Sequence, residues 1–272
     1  MAVYFITGGL GSGKGLAAIQ KIREYASEGR AICGNIDVNL DKLCNNVHSK
    51  VTYTRLPDRP TKDDLDCLPS GNDTYDNDLN GLLVLDELAT WLNTRNWNDK
   101  NRAGVIDWLI HSRKHGYDVM LLVQDYETID KQLIGSLMDY HCNMSDLSKI
   151  NVPIVGRMWK HFNTKGKPLK LPKIHTCNVM YKNLVKADRW TFRAKDLYAA
   201  YDTKQIFTEN YPHGPHSLLS RHHLEGRYLK TKPENKLIII KYAFYYLTVF
   251  SIKLCNEKIN AYRYLTYANK PI

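Results

Sequence analysis

A glycine loop held between an apolar strand and a helix leaves a chain few folds to choose from, and this chain begins with one. Ala2-Val3-Tyr4-Phe5-Ile6-Thr7 is apolar and partly β-branched, as a strand buried in a parallel sheet must be. Gly8-Gly9-Leu10-Gly11-Ser12-Gly13-Lys14-Gly15 follows at once. Beyond the loop Leu16, Ile19, Ile22 and Ala26 recur at helical spacing, and Gly29 supplies a stop. The spacing Gly-x4-Gly-Lys, in that order of strand, loop and helix start, is that of a P-loop. There successive backbone N–H groups surround phosphates and the lysine neutralises them. A tight βα turn with no ligand is the plain alternative. Gly15 stands where Ser or Thr normally offers a hydroxyl to Mg²⁺. Phosphate binding through amides survives that change, whereas hydrolysis depends on what else holds the ion.

A matching acid lies downstream. Leu82-Leu83-Val84-Leu85 reads as a buried strand, with Asp86 and Glu87 at its carboxyl end, where open α/β sheets bind ligands. Asp86 is expected to hold Mg²⁺ through water, and Glu87 to polarise an attacking water. A third strand, Val119 to Val123, ends in Gln124, which either senses a γ-phosphate or caps the strand. Ala103 to His115 predicts a helix with Val105, Ile106, Leu109 and Ile110 inward and Gly116 at its end. Its last turn carries Arg113. That residue either reaches a neighbouring subunit's phosphates as an arginine finger or compensates the helix dipole.

Charge is divided unevenly. Residues 1–125 hold 14 Lys/Arg against 17 Asp/Glu, and residues 126–272 hold 24 against 11. From Lys149 to Lys195 there are twelve basic residues and one acid, Asp188, interleaved with Trp159, Phe162, Trp190 and Phe192. A solvated surface, attraction to an anionic leaflet and a stacking groove for single-stranded DNA all fit that pattern. Six cysteines show no C-x-x-C pair or metal-ligand spacing and read as buried thiols. The histidines at 213, 216, 222 and 223 lack partners at ligand spacing.

These residues carry a resemblance. The chain resembles the filamentous-phage gene I assembly proteins, whose nucleotide-binding part is shared with the amino-terminal domain of zonula occludens toxin. The stretches concerned are MAVYFITGGLGSGKG, LPDRP at Leu56 to Pro60, GNDTYDNDLNGLLVLDE running into TWLNTRNWNDK, LVQD with IDKQ, and LYAAYDTKQIFTENY at Leu197 to Tyr211. The last has no general catalytic meaning and is a marker of that family. The resemblance implies a membrane-anchored cytoplasmic ATPase that drives assembly and extrusion of phage particles. It further implies ATP and Mg²⁺ as cofactors, a homo-oligomer, and phage assembly and coat proteins and the host inner membrane as partners. The phosphate-binding role falls on Gly8, Gly9, Leu10, Gly11, Ser12, Gly13 and Lys14, with Asp86 and Glu87 as the acidic pair. Gly15 departs from the threonine of the best-known family pattern, and the chain ends before the periplasmic domain with which such proteins usually continue.

Leu237 to Ile252 is the one long apolar run. Extended to Cys255 it would span about 28 Å as a helix, close to the ~30 Å hydrocarbon core. Lys241 opposes that reading, and a buried helix or paired strands is the alternative. The expected layout is an α/β P-loop NTPase with a mainly parallel sheet at 1–148 and a basic strand-rich segment at 149–235. A transmembrane helix at 236–255 and a periplasmic tail at 256–272 complete it, giving a single-pass inner-membrane protein with its N-terminal domain in the cytoplasm. Two other functions fit the same residues: an ATPase translocating single-stranded DNA along Lys149–Lys195, and a nucleotide-gated structural adaptor with little hydrolysis.

Overall fold

Alternation along the strands decides which core each side chain joins. The computed structural model describes residues 2–44, 48–92, 100–124, 129, 134–135, 137–147, 173–182, 184–193, 195 and 197–228. The chain divides into two compact units, Met1–Leu229 and Lys230–Ile272, and every described residue belongs to the first. The strands are β1 (Val3–Thr7), β2 (Ile32–Gly34), β3 (Thr52–Arg55), β4 (Gly81–Leu85), β5 (Tyr117–Leu122), β6 (Tyr140–Asp146), β7 (Ile174–Tyr181), β8 (Val185–Arg193) and β9 (His216–Leu219). They form a single sheet in the order β8-β7-β6-β1-β5-β4-β2-β3-β9. From β6 to β3 every pairing is parallel, while β7, β8 and β9 join antiparallel at the two edges. The sheet is thus mainly parallel, as expected. β5 lies between the glycine-loop strand β1 and the acidic strand β4.

Both faces of the central strands are buried. Val3, Phe5, Leu83, Leu85, Val119 and Leu121 join one core, and Ile6, Leu82, Val84, Met120 and Leu122 the other. Successive residues point to opposite faces, so a run with no polar alternation can only be satisfied by cover on both sides. Helix α1 (Lys14–Ser27) covers the second face through Leu16, Ile19, Ile22 and Ala26, the residues its spacing predicted. It ends as predicted at Gly29, whose φ is 74°, with Arg30 N–H donating to Tyr25 O (3.0 Å) and Gly29 N–H to Ala26 O (3.1 Å). Among the described residues five shorter helices follow: α2 (Leu40–Leu43), α3 (Lys62–Asp66), α4 (Leu88–Trp91), α5 (Lys100–Ile110) and α6 (Arg221–Glu225).

Helix α5 differs from its prediction. It stops at Ile110, and turns carry the chain to Gly116. Val105, Trp108, Leu109 and Ser112 are buried, whereas Ile110 is 44% exposed. The inward positions follow the i, i+3, i+4, i+7 rule through Trp108, whose bulk claims the stripe that Ile110 would otherwise occupy. Trp108 also stacks on His115 at 4.6 Å between ring centroids, which anchors the turns after the helix.

The membrane placement is corrected. No helix among the described residues is long and apolar enough to cross a bilayer. The longest, α1, has 14 residues, a rise of about 21 Å against the ~30 Å required. The run expected to span, 236–255, lies outside the described residues, so the placement as a single-pass inner-membrane protein is not sustained. Of the basic stretch, 148–172 also lies outside them; the described remainder forms β7 and β8, and Lys186, Arg189 and Arg193 are exposed on the sheet's edge strand. Charges there discourage pairing with another sheet. Cys33, Cys142 and Cys177 are buried thiols, Cys44 is half-buried and Cys67, against expectation, exposed.

Candidate functional site

The loop between β1 and α1 turns through glycines that no other residue would replace cheaply. Gly8, Gly11 and Gly13 have φ of 146°, 69° and 99°, a region that side chains bearing a Cβ avoid. Gly13 is the N-cap of α1, so the first amides of the helix open toward the loop. A Cβ on Gly13 would lie 2.5 Å from His175 Nδ1, and one on Gly8 would lie 2.9 Å from Met144 O. The cradle is therefore packed from behind by β6 and β7. Lys14 folds back to donate to Gly8 O (2.7 Å), and Leu10 at the crest is exposed.

Asp86 and Glu87 stand at the carboxyl end of β4. Their backbone is held by Asn35, which is fully buried: its Oδ1 accepts from Asp86 N–H (2.7 Å) and its Nδ2 donates to Asp86 O (3.1 Å) and Asp58 O (2.9 Å). Asp86 Oδ1 accepts from Glu87 N–H at 2.7 Å. Glu87 is left-handed at φ 53°, which for a residue with a side chain costs about 1–2 kcal/mol. That strain projects the exposed Glu87 side chain at the mouth of the site. Burial pushes the Asp86 carboxyl up to about 6 and Lys14 down from its ordinary value, while the attraction between the two charges opposes both shifts.

The loop and the acidic step line one cleft of about 670 Å³, a size that takes a drug-sized or nucleotide-sized ligand. Leu10 to Leu16, Asp86, Glu87 and Gln124 all contribute to its walls. Gln124 follows Val123 beyond the end of β5, between the glycine loop and the acids, and is exposed. Arg113 is not brought there. It is exposed on the turn before β5, at the amino ends of the parallel strands, whereas the loop lies at their carboxyl ends.

Sequence reasoning missed the residues that close the cleft from the far part of the chain. His175 on β7 is buried, with Nδ1 2.9 Å from Ser12 O. His175 Nε2 and Ser12 Oγ are buried without a hydrogen-bond partner among the described residues. Tyr198, Tyr201, Asp202, Thr203, Gln205 and Phe207 form another wall. Gln205 reaches back to the support of the acids, donating to Asn35 O (3.0 Å) and accepting from Asp37 N–H (2.8 Å). Only the family marker at Leu197 to Tyr211 pointed to this region, and it carried no chemistry to say why.

Fold and loop together define an α/β protein with a P-loop at the carboxyl edge of a mainly parallel sheet. The chain belongs to the zonular occludens toxin (Zot) family, whose pattern it matches over residues 2–193. It is 42% identical over 260 residues to the gene 1 protein of Enterobacteria phage M13, a match covering 94% of this chain and 74% of that protein. To the gene 1 protein of Salmonella phage IKe it is 41% identical over 215 residues, 77% of this chain and 58% of that protein. Among solved structures, the N-terminal domain of zonular occludens toxin from Neisseria meningitidis aligns with a TM-score of 0.40 at 16% identity, over 74% of this chain and 98% of that one. The genome packaging NTPase B204 from Sulfolobus turreted icosahedral virus 2, in complex with ATP-gammaS, aligns with a TM-score of 0.40 at 14% identity, over 71% and 97%. Those TM-scores are too low to carry an argument. The assignment rests on the sequence matches, which bear out the resemblance read from the motifs.

Proposed function

We propose that this chain is an ATPase of filamentous-phage assembly and extrusion. The observation that carries the reading is a single one: the glycine loop with Lys14 and the Asp86–Glu87 step line the same cleft. Membership of a family that includes phage gene 1 proteins supplies the phage context. The loop amides and Lys14 would take the phosphates of ATP. Asp86, raised toward neutrality by burial, suits a site completed by a cation. Mg²⁺ held beside it would neutralise charge on the phosphates. Glu87, exposed at the cleft, would be the base that orients water, and Gln124 would contact the terminal phosphate. Arg113 faces away from its own loop, so as an arginine finger it would act on a phosphate held by a neighbouring copy in a homo-oligomer. Phage coat and assembly proteins are its partners, and the basic edge at β8 contacts phage single-stranded DNA.

Phosphate release from ATP tests the proposal. Lys14→Ala should lose nucleotide binding, and Glu87→Gln should bind normally while turning over about 10²–10⁴-fold more slowly. Arg113→Ala should bind and fail to turn over only if the finger acts between copies. Gly15, which brings no hydroxyl to the ion, favours a second reading, a nucleotide-gated adaptor. Tight ATP binding with no release above the Glu87→Gln level would establish the adaptor and remove the motor.

A further inference from the structure

Gly15 looks like a deficiency, yet the space above it is filled. A Cβ placed on Gly15 would lie 2.8 Å from the Tyr201 hydroxyl and 3.1 and 3.2 Å from its ring carbons Cε2 and Cζ. The phenol therefore occupies the place from which a Ser or Thr at this position would reach out. Its own location is firmly set. Ala200 and Leu197 beside it are buried, Ala200 O accepts from Asn39 N–H at 2.7 Å, and Tyr201 makes a β-bridge with Val38. The ring lines the same cleft as Lys14 and Asp86. A glycine in the loop and a tyrosine far along the chain thus fit one another, since a side chain at 15 would have to displace the phenol from where it stands.

We propose that the Tyr201 hydroxyl replaces the missing P-loop hydroxyl and positions the phosphate-bound divalent cation beside Asp86. The inference rests on the ATPase reading and assigns to it a residue outside the loop. A phenol provides the same donor and acceptor as Ser or Thr, from the opposite wall of the cleft. A phenol keeps its proton at neutral pH, so the hydroxyl can donate to a water of the ion's shell. Tyr201 is a positioning residue, acting on the cation and not on the reacting phosphate.

The test is the affinity of the full chain for a fluorescent ATP analogue, measured with Mg²⁺ and with EDTA. Tyr201→Phe keeps the ring and removes one oxygen. It should lose most of the Mg²⁺-dependent gain, about tenfold, with EDTA affinity unchanged. Gly15→Thr alone should be impaired, because its Cβ meets the phenol. Gly15→Thr combined with Tyr201→Ala should recover the Mg²⁺-dependent gain, a coupling that independent sites do not show. A full Mg²⁺ gain in Tyr201→Phe, or an equal loss in EDTA, overturns the cation role. Failure of the wild-type chain to bind the analogue under either condition overturns the ATPase reading itself, so the two failures are told apart.

Discussion

Asp86 is where burial and charge conflict most directly in this molecule. Burial pushes its carboxyl up to about 6; the Glu87 charge adds to the rise, while the Glu87 amide and Lys14 oppose it. The native state therefore holds the proton more tightly than the unfolded chain, whose carboxyl titrates near 4. The resulting stability is fully present below about pH 4 and is lost as pH rises through about 6. Replacing the acid by its amide removes that loss. Asp86→Asn should be more stable than the wild type at pH 7.5 by on the order of 2–3 kcal/mol, with the gap closing toward pH 4. Chemical denaturation across that range measures it. A constant difference would mean the carboxyl is not perturbed. A residue that costs stability when ionised and stands in a cleft beside a lysine is a mark of function, because packing alone would have chosen an amide.

At the level of elements, the acidic strand end is held by a relay of polar contacts. Arg55 on β3 is 1% exposed and pairs with Asp58 and Asp37 at 2.7 Å each. Asp58 Oδ2 also accepts from Thr208 N–H (2.9 Å), and Arg59 pairs with Glu209. The LPDRP stretch and the TENY stretch, separate markers in the sequence, are thus two sides of one joint. Removing one member of a buried pair leaves its partner charged and dry, at about 3–5 kcal/mol. Asp58→Ala should lower the unfolding free energy by roughly that amount, softened by the remaining Asp37 contact. It should weaken nucleotide binding as well, since the Asp58 carboxylate, through Arg55 and Thr208, fixes the turn whose backbone O holds the Asn35 that holds Asp86. Urea titration alongside analogue binding checks both. A stability loss with binding intact would detach the joint from the site.

Across the whole molecule, one sheet is closed at both edges by chain that comes late. β9 covers β3 and the segment before it lays Tyr201 over the loop, beyond the residue at which the family match stops. Cutting the chain after residue 196 should therefore do two things. It exposes the edge of β3, which invites association, and it removes the wall carrying Tyr201 and Gln205. The shortened chain is expected to elute as aggregates in size-exclusion chromatography and to melt below the full chain. A monodisperse fragment with an unchanged melting temperature would show that the late segment is an addition and not part of the fold.

The central sheet was legible because its signals are local. Val3 to Thr7, Leu82 to Leu85 and Val119 to Val123 are apolar with no polar alternation, and a strand buried on both faces admits nothing else. The glycine loop was legible for the same reason, since Gly8, Gly11 and Gly13 answer to their own backbone angles. Ile110 was misplaced because a helical stripe can be filled in more than one way, and only packing showed that Trp108 takes it. His175 and Asn35 carried no signal at all, and Tyr201 only its place in a family marker. Their roles arise from being set against residues far away in the chain, by distances that no spacing encodes. What the amino-acid order determined by itself was the loop, the acidic strand end and the class of sheet, all governed by backbone sterics and burial over a few neighbouring residues. What only the tertiary structure decided was the wall facing them: long-range packing fills the gap at Gly15 with a phenol from position 201.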